Sequence, residues 1–309
     1  MKRKDRILKK ILLSLLGLLL AAVLCLVVIL GRYFPHYIRE KQVVHIPVLS
    51  TEEIRMMSYN LRCLTPLDFG EKTWFYRADL IVDDIVAQAP GIIGFQEATR
   101  WQYRYLVDTL SGYDSVITYR DKSPVSEGCP IFYNTSLYTL VDKGSFWLSE
   151  TPDKMSRDWD SACYRICSYV ILTDKQSGLD FVVFNTHLDH VSDTARINGI
   201  NVVLDKIARF GSLPSVIMGD FNALEGSETY KNATEHFLDA RYAAQSVEGT
   251  EYTYQNWGNP ENFKRLDYFM VSQSGFSVKE YWVLSALHDG VYSSDHCPIL
   301  MTAVLEQSP

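Results

Sequence analysis

Apolar residues along this 309-residue chain fall into three kinds of run. The first is one uncharged block, residues 11–30 (ILLSLLGLLLAAVLCLVVIL). As a helix rising 1.5 Å per residue it covers about 30 Å, the thickness of a bilayer's hydrocarbon core. The second kind repeats at three- and four-residue steps, as on a helix with one buried face. Ala78, Ile81, Ile85 and Ala89 do so within residues 75–89, before Pro90 and Gly91 stop the pattern. Ile197, Ile200, Leu204 and Ile207 do so within residues 195–210. A further helix is expected over 100–110.

The third kind is short and rich in β-branched and aromatic residues, as strands are. It includes IRMMSYN (54–60), IIGFQE (92–97), DFVVFNTHLDH (180–190), PSVIMGDFNA (214–223), FKRLDYFMV (263–271) and SSDHCPILMTAV (293–304). Strands are also expected at 113–119, 163–173 and 276–283. Residues 120–162 read as a long polar passage holding short strands.

Most of these strands end in an acid, an amide or an imidazole. Asp220 and Asn222 stand two apart after Val216–Met218, and on an extended strand such residues point the same way. A carboxylate beside a carboxamide suits general-base work on a water. Gly219, Asp220 and Asn222 are equally the residues of an ordinary turn, and both readings stay open here. Strands and helices alternate without a central linker, which predicts an α/β domain with functional groups gathered at one sheet rim.

Charge divides the chain. Residues 1–10 carry six Lys/Arg and one Asp, so the net −7 of the whole leaves about −12 on the remainder. The basic flank favours a cytoplasmic tail (1–10), a single-pass signal anchor (11–30), a juxtamembrane linker (31–53) and an extracytoplasmic domain (54–309) in the cell membrane. A cleaved signal peptide is the alternative, though its apolar core is shorter, about 7–15 residues. An acidic domain disfavours tight nucleic-acid binding. Cys25 lies in the apolar block, leaving five cysteines, and Cys163 and Cys167 four apart on one strand stand too far apart to pair. No disulfide framework, and no obligate protein partner, is expected.

SYN (58–60), GFQE (94–97), NTHLDH (185–190), GDFN (219–222), RLDYFMV (265–271) and SDHCPI (294–299) occur in the order of one superfamily. The chain resembles the endonuclease/exonuclease/phosphatase superfamily from about residue 54 to 305. The resemblance implies a four-layer α/β sandwich, two packed mixed sheets flanked by helices, here preceded by one transmembrane helix. It also implies Mg²⁺-dependent hydrolysis of a phosphate ester, with Mn²⁺ a possible substitute.

Mg²⁺ takes oxygen ligands, one or two of them carboxylates, which suits Glu97 as principal ligand with Asn60 and Asp295 completing the shell. Asp267 and His296 are expected to pair, the acid fixing the imidazole's tautomer. Asp220, with Asn222, would activate or orient the attacking water, and either Asp220 or the His296–Asp267 pair would be the base. His187 would contact phosphate oxygens. Arg165, Asn185 and Trp159 are the candidates for substrate binding, with Asp189 and His190 supporting from behind.

SFWLSETP (145–152) and DWDSACYRIC (158–167) resemble a bacterial branch of metal-dependent hydrolases, and residues 120–162 give an acidic, aromatic loop where nuclease members carry basic ones. Phosphodiesters of lipid headgroups or small molecules are therefore the expected substrates, a membrane-tethered or secreted nuclease the alternative. NTHLDH also resembles the H-x-H-x-D-H signature of zinc metallo-β-lactamase-type hydrolases, but position 185 is Asn. An inactive binding module is the remaining alternative.

Overall fold

The computed structural model describes residues 2–33 and 43–306. Helix α1 (Lys2–Tyr33) contains a stretch, Arg6–Ile29, apolar and long enough to cross a membrane, a property that anchors and signal sequences share. Of the expected linker (31–53), residues 31–33 end α1, residues 34–42 lie outside the described residues, and the chain packs on the domain from Val44. Val44–His45 pairs in parallel with Leu110–Ser111, and Ile46 is buried in an apolar layer. Residues 43–53 (VVHIPVLSTEE) keep neither a two-residue nor a three-to-four-residue apolar period throughout, so they read as linker until their partner is seen.

Along the chain come β1 (Ile54–Asn60), α2 (Trp74–Gln88), β2 (Ile92–Gln96), α3 (Arg100–Thr109), β3 (Tyr113–Val116), β4 (Ile131–Asn134) and β5 (Tyr138–Trp147). There follow β6 (Ile166–Asp174), β7 (Asp180–His187), α4 (Asp193–Ala208), β8 (Ser215–Asp220), α5 (Glu228–His236) and β9 (Phe237–Asp239). The last strands are β10 (Ser246–Gly249), β11 (Asp267–Ser272), β12 (Phe276–Val283) and β13 (Ile299–Leu305). A seven-stranded mixed sheet has the order β10-β12-β13-β1-β2-β4-β3, and a six-stranded one the order β9-β11-β8-β7-β6-β5.

Three expectations need correction. The polar passage 120–162 contains one ten-residue strand, β5, whose charged residues belong to the open side of an edge strand. The strand expected from 163 starts at Ile166, which leaves Cys163 in a loop; both it and Cys167 are free thiols. The sequence pattern marks no element between 223 and 263, yet that stretch holds α5, β9 and β10, too short or too polar to show a period.

The expected four layers are present. One apolar cluster lies between the sheets, including Met56, Ile92, Val183, Val216, Met218 and Met301. A second joins the seven-stranded sheet to α2 and α3 through Met57, Phe95, Ile81 and Leu106. A third joins the six-stranded sheet to α4 and α5 through Phe184, Ile217, Ile200 and Ala233. Each sheet carries one parallel pair joined by a helix, β1–α2–β2 and β7–α4–β8. The antiparallel β11 begins beside the end of β8, Asp220 opposite Asp267.

The period-two alternation of these strands sets the chemistry. On β1 the inter-sheet face runs Ile54, Met56, Ser58, Asn60, and on β7 it runs Phe181, Val183, Asn185, His187. The space between the sheets therefore grades from apolar through uncharged polar to ionisable at a single rim. Gly94 sits in the middle grade, where a Cβ would meet Met218 and Asn185 of the opposite sheet.

Candidate active site at the rim between the sheets

Asn60 ends β1 and bridges the sheets, its Nδ2 donating to Asp220 Oδ2 at 3.0 Å and to Glu97 Oε1 at 3.3 Å. Glu97 follows β2 in a left-handed conformation (φ 59°), and the Cys63 N–H donates to its Oε2 at 2.7 Å. Asn222 is likewise left-handed (φ 49°), and its N–H donates to Asp220 Oδ1 at 2.9 Å. Side chains held in this strained backbone region recur at functional sites. The turn and the site are thus the same structure: Asp220 and Asn222 converge by a tight turn, not by extension of the strand. Asn222 Nδ2 lies 2.9 Å from His187 Nε2, and Asp220 Oδ2 lies 3.4 Å from it.

The Asp267–His296 pair is present, His296 Nδ1 standing 2.8 Å from Asp267 Oδ2. Thr253 was not foreseen: its hydroxyl donates to the same oxygen at 2.6 Å while accepting from the Leu266 and Asp267 amides. The Tyr254 ring packs 4.9 Å from the imidazole. His296 Nε2 points toward Asp220 Oδ2 at 3.7 Å. Asp295 is buried beside Asn60, since Ser294 donates to the Asn60 carbonyl at 2.6 Å.

Crowded carboxylates set the protonation. Burial pushes Asp220 up to about 7, with the Asp267 charge adding to it against the pull of His296. Burial pulls His296 down, but Asp267, Asp220 and Asp295 outweigh it and hold it at about 10. Burial and the Glu97 charge raise Asp295. Burial also raises Glu97, yet the Cys63 amide, His296 and Arg62 together bring it below the usual carboxylate range. Burial, then Arg165 and Arg120, hold His187 well below the usual imidazole value, so it is neutral.

Glu97, Asp220, Asp267 and Asp295 share this rim with the His296 imidazolium, the partly exposed Arg62 and the buried Arg77, whose guanidinium acts on Asp295, and a cation would further relieve the crowding of the carboxylates. Glu97 and Asp295 carry the carboxylate oxygens that a hard divalent ion prefers, whereas Asn60 turns its Nδ2 to Glu97 while its Oδ1 accepts from the Arg62 N–H at 2.9 Å. Among the described residues, Asp220, Asp267 and His296 also present donor atoms within 4.8 Å of one another. Their mutual hydrogen bond already occupies His296 Nδ1.

A narrow recess beside His187 is lined by Glu97, Arg120, Glu127, Tyr164 and Arg165. Arg165 is buried here, its Nη2 2.9 Å from His190 Nδ1 and its Nε 3.5 Å from Asp189 Oδ2. Arg120 is an addition that no strand pattern marks; Glu127 grips it at 2.7 and 2.8 Å. The passage read as acidic therefore contributes a cation.

One expected substrate contact, Asn185, is corrected, and a second, Trp159, lies outside the recess. Asn185 is fully buried between the sheets: its Oδ1 accepts from Gln96 at 2.7 Å, and its Nδ2 donates to the Phe95 and Pro130 carbonyls at 2.8 Å. It ties the sheets together, being one residue pair below the rim. Trp159 does not line the recess; from the same loop Tyr164 does. Asp189 explains the loop's course, accepting from Ser161, Ala162, Val191 and Ser192. With Asn185 and Asp189 so engaged, NTHLDH cannot supply a metallo-β-lactamase-type zinc set.

The endonuclease/exonuclease/phosphatase family model matches residues 57–296. A solved endonuclease/exonuclease/phosphatase from Bacteroides vulgatus is 31% identical, with TM-score 0.78 over 82% of this chain and 99% of its own. A mannosyl-6-phosphatase from Bacteroides thetaiotaomicron is 31% identical, with TM-score 0.75 over 82% of this chain and 100% of its own. Human nocturnin is 25% identical over 227 residues, 67% of this chain, and this chain spans only about half of it, 51%. The chain belongs to the endonuclease/exonuclease/phosphatase family.

Proposed function

We propose that this chain is a Mg²⁺-dependent hydrolase of small phosphate esters, sugar phosphates or lipid headgroups, tethered outside the membrane by residues 11–30. The observation that supports it most is the convergence of Asp220, His296 paired to Asp267, and neutral His187 on one point beside Glu97 and Asn60. Asp220, whose pKa lies near 7, takes the proton of the attacking water. His296, kept protonated by Asp267, donates to a phosphoryl oxygen and stabilises its growing charge. Arg165 and Arg120 hold the remaining oxygens or a second anionic group. Glu97 and Asp295 would hold the ion, with Asn60 fixing the Glu97 carboxylate through its Nδ2. When bound, Mg²⁺ neutralises charge on the phosphoryl and leaving oxygens.

The acidic domain and the mannosyl-6-phosphatase relative support a small substrate over nucleic acid. The test is a panel of p-nitrophenyl phosphate, bis-p-nitrophenyl phosphate, hexose phosphates, phospholipids and plasmid DNA. Turnover with Mg²⁺ that His296→Ala abolishes is expected. No cleavage of any member would leave the binding-module reading standing, and near-normal turnover in His296→Ala would sink the site assignment.

A further inference from the structure

Beside the rim lies a second, chemically different space. A groove of about 370 Å³ is walled by Leu64, Pro66, Phe75, Trp101, Pro124 and Val125. Two of its walls leave large apolar side chains in solvent, Val125 69% and Trp101 63% exposed, and Leu67 and Phe69, next in sequence to the lining residues Pro66 and Asp68, are 78% and 76% exposed. Single exposed apolar residues are ordinary, but two in the walls of one groove, with two more on the loop that builds it, mark a binding surface.

The groove is built. Arg62 grips Asp68 through two hydrogen bonds of 3.2 and 3.0 Å, closing residues 62–68 into a fixed loop. Gln102 accepts from the Leu64, Thr99 and Thr99-hydroxyl donors, pinning that loop to the start of α3. It also abuts the site directly. Cys63, next to Leu64, donates to Glu97, and Thr99 is two residues beyond Glu97.

We infer that this groove takes the hydrocarbon chain of a phosphate-ester lipid whose phosphate reaches the Glu97 rim. The inference rests on the proposed phosphoesterase activity and narrows its substrate to amphiphiles. Two further observations favour a lipid chain as occupant. The same chain carries a membrane-length apolar helix ending at Tyr33, and Val44 is already docked on Leu110. Residues 34–43 can reach at most roughly 35 Å. Trp101 stands at the other end of α3 from that docking point, about 14 Å along the helix. The groove is therefore within reach of a bilayer that holds α1.

Full-length protein in mixed micelles is assayed on two diesters with the same leaving group, p-nitrophenyl hexadecyl phosphate and p-nitrophenyl methyl phosphate. Trp101→Glu and Val125→Glu alter exposed positions in the groove wall, and an acid in the first turn of α3 suits the helix dipole, so both variants fold. Each is expected to lower kcat/KM for the hexadecyl ester about tenfold, the effect of one large apolar contact left unmade, with the methyl ester unchanged. Equal loss on both esters, or none on either, overturns the inference. Binding is read separately, as quenching by brominated-chain phospholipid that Trp101→Phe removes. Quenching without turnover of either ester keeps the groove and discards the phosphoesterase reading. Turnover of the methyl ester without quenching does the reverse. A concentration-dependent dimer abolished by Val125→Glu would assign the patch to a second copy and overturn the inference.

Discussion

Gly219 lies one residue before Asp220 in β8 at φ 140°, a conformation that L side chains rarely adopt. A Cβ there would lie 1.9 Å from the carbonyl oxygen of Thr186, its partner in the parallel β7–β8 register. An ordinary C···O contact is about 3.3 Å, so in Gly219→Ala the two strands must part by more than ~1 Å. The backbone term costs about 1–3 kcal/mol. Loosened ladder bonds, among them Leu188 N–H to the Asp220 carbonyl at 2.9 Å, add about 0.5–1.5 kcal/mol each. Together this gives about 3–5 kcal/mol, with His187 and Asp220 displaced and turnover lost.

Gly178 provides the control: it has φ 74° but nothing within 4 Å of its would-be Cβ. Gly178→Ala should therefore show the backbone term alone, about 1–2 kcal/mol. Urea unfolding of both variants, with kcat on bis-p-nitrophenyl phosphate, decides the matter. If the two cost the same within about 1 kcal/mol, the steric account of the GDFN strand end is wrong.

Asn185→Ala takes a donor from the Phe95 and Pro130 carbonyls and an acceptor from the Gln96 amide, of which Pro130 keeps the Phe95 N–H and Gln96 keeps Ser58 and Gly94, so at about 1–3 kcal/mol in all it should lower the urea midpoint while leaving KM unchanged; a raised KM with an intact midpoint would return it to the substrate. Mg²⁺ should raise Tm of the wild type, and chelator should abolish its turnover, whereas Glu97→Gln should lose both responses; a Mg²⁺ shift that persists in Glu97→Gln would move the ion elsewhere. His288 is raised above the ordinary imidazole value by its hydrogen bond to Asp84, against partial burial. Because its folded pKa exceeds the unfolded one, its stabilising contribution is complete below about 6.5 and is lost as pH climbs through the raised value. Unfolding free energy measured from pH 5.5 to 9 should therefore decline on this account, and His288→Gln should remove that part of the slope; an unchanged slope would refute the linkage.

Periodicity located β1, β2, β7 and β8 because each is buried on both faces and reads as an apolar run ending abruptly. The same criterion missed β5, an edge strand with a wet face, and α5, whose buried residues are only Thr229 and Ala233. The six quoted motifs were legible as family order, and their strand-end acids and imidazoles were legible as chemistry. What a motif could not show was depth. Asn185 and His187 lie on the same face of one strand two residues apart, yet one ties the sheets together and the other faces the rim.

The sequence by itself determined the element types, the apolar amino-terminal helix and the inventory of ionisable groups, because these follow from local spacing of apolar and polar residues. Only the tertiary structure decided which groups meet. The opposition of Asp220 to His296, the Thr253 hydroxyl behind Asp267, Arg120 in the recess and the apolar groove next to Glu97 all join segments far apart in the chain. Their physical basis is the packing of two sheets whose parallel pairs end at one rim. That packing fixes distances and buries charge, and burial gives Asp220 and His296 protonation states that neither has as a free residue.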